Sequence, residues 1–136
     1  MREVFADTGY WIAMIDKGDA RRSAAVDAAI KIGGTRIVTT SAVLTEVLNH
    51  FSGLTGIYRD NVAFFIQRTM NSDDVRVVRV ADPLFNDGLT MYAAYRDKKW
   101  SHVDCMSFAV MRRRGITDAL AHDEHFRQAG FTTLMG

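Results

Sequence analysis

The chain has one cysteine and one proline in 136 residues, and almost no net charge, with 17 Lys and Arg against 16 Asp and Glu. A single cysteine excludes an internal disulfide framework and a Cys-rich zinc site, and it suits a reducing compartment. The missing charge excess argues against a protein that holds nucleic acid by bulk electrostatics alone. No stretch reaches the roughly 18 apolar residues that a membrane helix needs. The run MREVFADTGYW meets a charge at once and an aspartate soon after, so it lacks the apolar centre of a signal peptide. No internal repeat, low-complexity tract or Pro/Ser linker divides the chain. At roughly 100–200 residues per domain, the expectation is one cytoplasmic domain without membrane contact.

What is present is average for a globular chain: 48% apolar and 24% charged residues. At this length roughly two-thirds of the unfolded surface can be buried. Short β-branched runs alternate with segments of helical period. Val4 to Ala6 reads as a strand ending at Asp7-Thr8-Gly9. A helix from about Ala20 to Ile32 follows, with Asp19 as N-cap, Val26 and Ile30 on one face, and Gly33-Gly34 as its stop. Arg36 to Thr39 is a second strand, and Ser41 caps a helix from Ala42 to about Phe51. Val62, Phe65, Ile66 and Met70 mark the apolar face of another helix.

The second half repeats the pattern. Val75 to Ala81 is strand-like, and Asp82-Pro83 opens a helix to about Arg96. Ser101 opens a strong helix through Arg114 that Gly115 closes. Ile116 to Ala121, Asp123 to Ala129 and Phe131 to Met135 read as strand, short helix and strand. Strands alternating with helices imply a three-layer α/β/α fold around a mostly parallel sheet of four to five strands.

In such sheets ligands bind beyond the carboxyl ends of the strands. Asp7 ends the first strand, Glu46 lies early in the helix after the second, Asp104 is in the first turn of the Ser101 helix, and Asp123 follows the fourth strand. The first three sit in apolar company, where a charge is costly unless paired or bound to a cation. Carboxylates converging from separate elements suit a hard divalent ion such as Mg²⁺ or Mn²⁺. Plain structural readings stand beside this one. Ser101-His-Val-Asp104 fits a capping box, and Asp123 fits the N-cap of the last helix.

The order of these acids is also familiar. Asp7 in Phe-Ala-Asp-Thr-Gly, Glu46 in Thr-Thr-Ser-Ala-Val-Leu-Thr-Glu, Asp104 in Ser-His-Val-Asp-Cys-Met-Ser-Phe-Ala-Val-Met, and Asp123 in His-Asp-Glu-His-Phe together resemble the PIN-domain ribonucleases. The resemblance is strongest to the small VapC-type toxins of prokaryotic toxin–antitoxin pairs, and it covers essentially the whole chain. It implies a Mg²⁺- or Mn²⁺-dependent endoribonuclease in which Asp7, Asp104 and Asp123 hold the metal and Glu46 helps directly or through water. Ser101 and Thr8 would hydrogen-bond the carboxylates or the substrate phosphate. In-line attack by metal-activated water would leave a 5′-phosphate and a 3′-hydroxyl. A cognate antitoxin and a homodimer are the implied partners. Where many relatives have Thr or Ser before the fourth acid, this chain has His122.

Other signals compete with this one. Asp7-Thr8-Gly9 is also the aspartic-protease triplet, but that fold is almost all β and this chain has long helices. An aspartyl-phosphate phosphatase would want a second Asp where Gly9 stands. His122 and His125 make a weak zinc pair and read better as solvent-facing residues of the last helix; Cys105 reads as a buried small hydrophobe. Arg96, Lys98, Lys99 and Trp100 mix charge with an aromatic beside Ser101, a combination that grips single-stranded RNA. Arg112 is a further candidate, although cations at a helix end need no RNA. Trp11, Ile12, Met14 and Ile15 offer more apolar surface than a loop requires, for packing or for a partner. The alternatives in function are a non-catalytic PIN-like module that binds RNA or protein, and a housekeeping RNA-processing or DNA nuclease.

The near-neutral balance counts the candidate site as surface. With four acids withdrawn into a metal site, 17 cations would face 12 remaining acids, an excess of five.

Overall fold

A computed structural model describes residues 2–136. The elements run β1 (Glu3–Ala6), α1 (Thr8–Ile15), α2 (Arg22–Ile32), β2 (Arg36–Thr40), α3 (Ser41–His50), α4 (Gly56–Met70), β3 (Val75–Val78), α5 (Asp82–Ala94), α6 (His102–Arg114), β4 (Asp118–Leu120), α7 (Glu124–Gln128) and β5 (Thr132–Thr133). The strands form one parallel sheet in the order β3-β2-β1-β4-β5. Helices cover it in the expected three-layer α/β/α arrangement. A parallel strand is buried on both faces, so β1 reads as an unbroken apolar run, and Val4, Phe5 and Ala6 are fully buried.

Strand order sets the position of the site. The chain steps outward from β1 through β2 to β3, then returns to the other side of β1 for β4 and β5. The carboxyl ends of β1 and β4 therefore flank the point where the order reverses, the usual ligand crevice of an open α/β sheet. The Asp7 amide donates to the Leu120 carbonyl at 3.1 Å, which ties the two strand ends together there.

Polar residues that enter the core carry their hydrogen bonds with them. Thr39 and Thr40 at the end of β2 are buried. The Thr39 hydroxyl donates to the Ala6 carbonyl at 2.9 Å and accepts from the Trp11 indole at 3.4 Å, which joins β2, β1 and α1. Below the β4 side, Phe5, Phe126, Phe108 and Trp100 form a chain of aromatic contacts with centroids 5.0–6.2 Å apart. Those rings seat α6 and α7, which carry two of the candidate acids.

Four local expectations change. The segment after β1 is a helix, α1, with Tyr10, Trp11 and Ala13 buried, so Trp11 serves packing and leaves no partner surface of its own. On α2 the buried side is Ala25 and Ala28, whereas Ile30 is 73% exposed; small residues allow the close approach that Val26 and Ile30 would block. The cap of α3 is Thr40, whose hydroxyl accepts from the Val43 amide at 3.1 Å. Ser41 accepts instead from the Val80 amide at 2.9 Å. Met70, expected on the inner face of α4, is 50% exposed because Val62, Ile66 and Thr69 fill that face.

Candidate active site

Asp7 is placed by two elements at once. It ends β1 and takes the N-cap position of α1 with extended backbone and no side-chain capping bond to the helix. Burial raises its pKa from 3.8 to about 7, against the pull of the Thr8 amide, and the charges of Asp104, Glu46 and Asp123 raise it further. Glu46 lies in the second turn of α3, half-buried, and accepts a hydrogen bond from the Thr8 hydroxyl at 2.5 Å. Burial is also the main cause that raises its pKa, the Thr8 bond opposes it, and Asp104 adds to the rise.

The other two acids come from helix starts. Ser101 and Asp104 form a reciprocal capping box: the Asp104 amide donates to Ser101 Oγ, and the Ser101 amide donates to Asp104 Oδ2, each at 3.0 Å. The same Oδ2 lies 3.0 Å from His125 Nδ1, so Oδ1 has no partner among the described residues. Asp123 caps α7, its Oδ1 accepting from the His125 amide at 3.0 Å. His125 Nδ1 lies 3.5 Å from that oxygen. Both structural readings of these acids are therefore realised. They do not compete with a site, because each cap occupies one carboxylate oxygen and leaves the other.

All four carboxylates, with Thr8, Ser101, Lys99, His122 and His125, line one cavity of about 310 Å³ at the ends of β1 and β4. Four acids meet only Lys99 and the two imidazoles there. Among the described residues no three of these side chains already stand in ligating geometry around one point. Like charges repel, and the caps and His125 hold Asp104 and Asp123 back. The donor set itself, four hard oxygen ligands with an uncompensated charge and one buried carboxyl held near neutrality, fits a divalent cation such as Mg²⁺ or Mn²⁺.

Comparison with known proteins agrees with the fold. The PIN domain family matches residues 4–132. The chain belongs to the PIN-domain family. This PIN domain is also 33% identical, over 134 residues, to the 23S rRNA-specific endonuclease VapC20 of Mycobacterium tuberculosis, in strains CDC 1551 and H37Rv alike; the match covers 96% of this chain and 97% of VapC20. The crystal structure of M. tuberculosis VapC20, described as a sarcin–ricin-loop-cleaving toxin, superposes with a TM-score of 0.84 at 29% identity, over 95% of this chain and 96% of that one.

Within the PIN domain, three expectations about surrounding residues need revision. His125 is not solvent-facing: it is half-buried and bridges Asp104 and Asp123. The signal was present in Asp123-Glu-His125, since an Asx cap turns the second residue after it back toward the cap. Trp100 is 5% exposed, donates from its indole to Gln128 Oε1 at 2.9 Å, and packs on Phe108, so it cannot stack on RNA. Arg112 lies eight residues along α6 from Asp104, roughly 12 Å by helical rise, at the far end from the acids. Arg96, Lys98 and Lys99 do border the site, in an adjoining cavity. Cys105 is buried as expected, and burial raises its thiol to about 11, which keeps it unreactive.

Proposed function

We propose that this PIN domain is an endoribonuclease that hydrolyses RNA phosphodiester bonds at the Asp7, Glu46, Asp104 and Asp123 cavity, and that it is the toxin of a toxin–antitoxin pair. One observation carries the reading: four carboxylates from four separate elements share a cavity at the sheet's switch point, in a chain with the PIN fold. Asp7, Asp104 and Asp123 are the ligands we assign to Mg²⁺ or Mn²⁺, with Glu46 as helper. When bound, such an ion lowers the pKa of coordinated water and neutralises charge on the phosphoryl group. The chain's own residues do the rest. Thr8 orients Glu46, the Ser101 cap and His125 fix Asp104, and Lys99 lies where it can meet a phosphate oxygen.

The substrate to test first is the one named for the relative, 23S rRNA and its sarcin–ricin loop. The purified chain is incubated with that stem-loop and with unstructured RNA, in Mn²⁺, Mg²⁺ or EDTA. Cleavage is expected with either ion and none in EDTA. Asp104→Asn should abolish cleavage and retain the fold by circular dichroism; activity that survives it would refute the mechanism.

A partner surface is also available. Leu54, Ile57 and Tyr58 are exposed around the start of α4, beside a cavity of about 480 Å³, and suit an apolar antitoxin segment. On α5, Leu84 and Gly88 are buried while Phe85 and Leu89, one turn apart, are exposed, which supports a homodimer seam there. No helix among the described residues is long and apolar enough to cross a membrane, and a cytoplasmic location follows from the toxin assignment. A non-catalytic binding role gains some support from the capping box, which alone accounts for Ser101 and Asp104; it gives no reason for Asp7 to be buried beside them.

A further inference from the structure

A second cavity, of about 610 Å³, opens beside the acidic one, and Lys99 and Ser101 line both. Its other walls include Tyr92, Tyr95, Arg96 and Lys98. The volume falls within the range of small-molecule sites. Tyr95 is the feature that gives it a use. The residue is 38% exposed, and its ring lies 4.8 Å from the buried Trp100 ring, centroid to centroid, at 38°. Trp100 is in turn held by Gln128 and Phe108. Tyr95 is therefore a supported aromatic surface, whose ordering needs little further loss of entropy on binding.

The charges around it are of the opposite sign to those next door. Lys98 is engaged by Asp97 at 3.2 Å. Arg96 and Lys99 lie within ion-pair distance of no carboxylate among the described residues. An aromatic face, two uncompensated cations and an adjoining carboxylate cavity are what a nucleotide next to a scissile bond requires. Base–aromatic stacking tolerates any base, and cations meet the flanking phosphate.

We propose that Tyr95 is the stacking platform for the base of a nucleotide adjoining the scissile bond, with Arg96 and Lys99 on its phosphate. The proposal rests on the endoribonuclease reading and adds a subsite to it. Trp100, expected from the sequence to stack, acts as the buried support of the residue that does. Because the platform needs an unstacked base, the subsite selects a looped or single-stranded position in the RNA.

The test uses the full chain carrying Tyr95→Leu, Tyr95→Phe or Arg96→Gln, each also combined with Asp104→Asn. Affinity for the stem-loop carrying 2-aminopurine in its loop is measured by fluorescence in Mg²⁺ on the Asp104→Asn background, where cleavage is blocked. Tyr95→Leu should weaken binding roughly tenfold and lose the 2-aminopurine stacking quench, and Tyr95→Phe should stay within about twofold. Arg96→Gln should lower the slope of log affinity against log salt by about one. Mn²⁺ affinity should not change with any of the three. Binding by Tyr95→Leu within twofold of its parent, or an equal loss in Tyr95→Phe, overturns the subsite. If Tyr95→Leu fails to fold, an unchanged salt slope in Arg96→Gln overturns it instead. An unmodified chain that neither binds nor cleaves RNA refutes the nuclease reading, whereas one that cleaves while the variants are silent refutes the subsite alone. A Tyr95→Leu variant whose defect is a changed sedimentation coefficient with normal binding assigns the residue to a dimer seam and also overturns the subsite.

Discussion

Asp7 and His125 show how single side chains set the chemistry of this site. Asp7 is held near neutrality because its charged form is desolvated and faces three other carboxylates. A carboxyl whose pKa is 3.8 unfolded and about 7 folded binds its proton more tightly in the native state. Stability is then fully present below pH 4 and lost as pH rises toward 7, by on the order of 3–4 kcal/mol. In EDTA at pH 8, Asp7→Asn should therefore melt higher than the unmodified chain, and the gap should close as pH falls to 4. With Mn²⁺ the order should reverse, because the variant gives up one of the proposed ligands. A melt that is flat with pH in EDTA would remove the argument for burial. We assign His125, which bridges Asp104 and Asp123, a positioning role. His125→Ala should lower cleavage and Mn²⁺ affinity together by roughly 10–100-fold, the usual effect of losing a group that orients a ligand. His125→Asn, whose amide can take the place of Nδ1, should recover part of both. Loss of stability without any change in Mn²⁺ affinity would leave His125 a purely structural cap.

At the scale of elements, the site depends on how α3, α5 and α6 are seated. Thr40 caps the helix that carries Glu46. Thr40→Ala should cost about 1 kcal/mol in urea denaturation. Gly88 is a close approach between α5 and α6: a Cβ there would lie 2.5 Å from Met106 Cγ and 3.0 Å from His102 Nε2. Those two residues bracket Asp104 on α6, so Gly88→Ala should destabilise by about 1–3 kcal/mol. It should also depress cleavage beyond what the unfolded fraction explains, because the helix start that carries Asp104 must shift. Activity that falls only in step with the folded fraction would separate α5 packing from the site. The same two helices show which elements were readable. Ser101, Asp104 and Gly115 mark α6 by local hydrogen bonds and by one left-handed residue at φ +69°, both written in the sequence. α1 has no such mark. Its start is occupied by Asp7, whose side chain does not cap, and it is held by Trp11 and Tyr10 packing inward from a segment that read as loop.

For the whole molecule, charge and apolar surface are separated in space. Four acids are gathered in the switch-point cavity, uncompensated cations border it, and most of the exposed large apolar residues lie on α4 and α5. If the exposed α5 turn is the dimer seam, sedimentation equilibrium should give twice the chain mass, and Leu89→Asp should give a monomer of unchanged fold. A monomeric unmodified chain at micromolar concentration would dismiss the seam.

The α/β class and the order of strands and helices apart from α1 were legible in the sequence, and the four acids stood out as candidates, because apolar periodicity, caps and carboxylates among core residues are local properties of the chain. It also determined that Ser101 and Asp104 share a cap, since capping acts within one turn. It took the fold to bring the ends of β1 and β4 together, to turn His125 onto Asp104, and to set Trp100 beneath an exposed Tyr95. The first two join residues from different elements, and the third joins the two ends of the connection between α5 and α6. Which face of a helix or loop is buried depends on the partner that covers it, and strand order, which chooses the partners, is not written in any one segment.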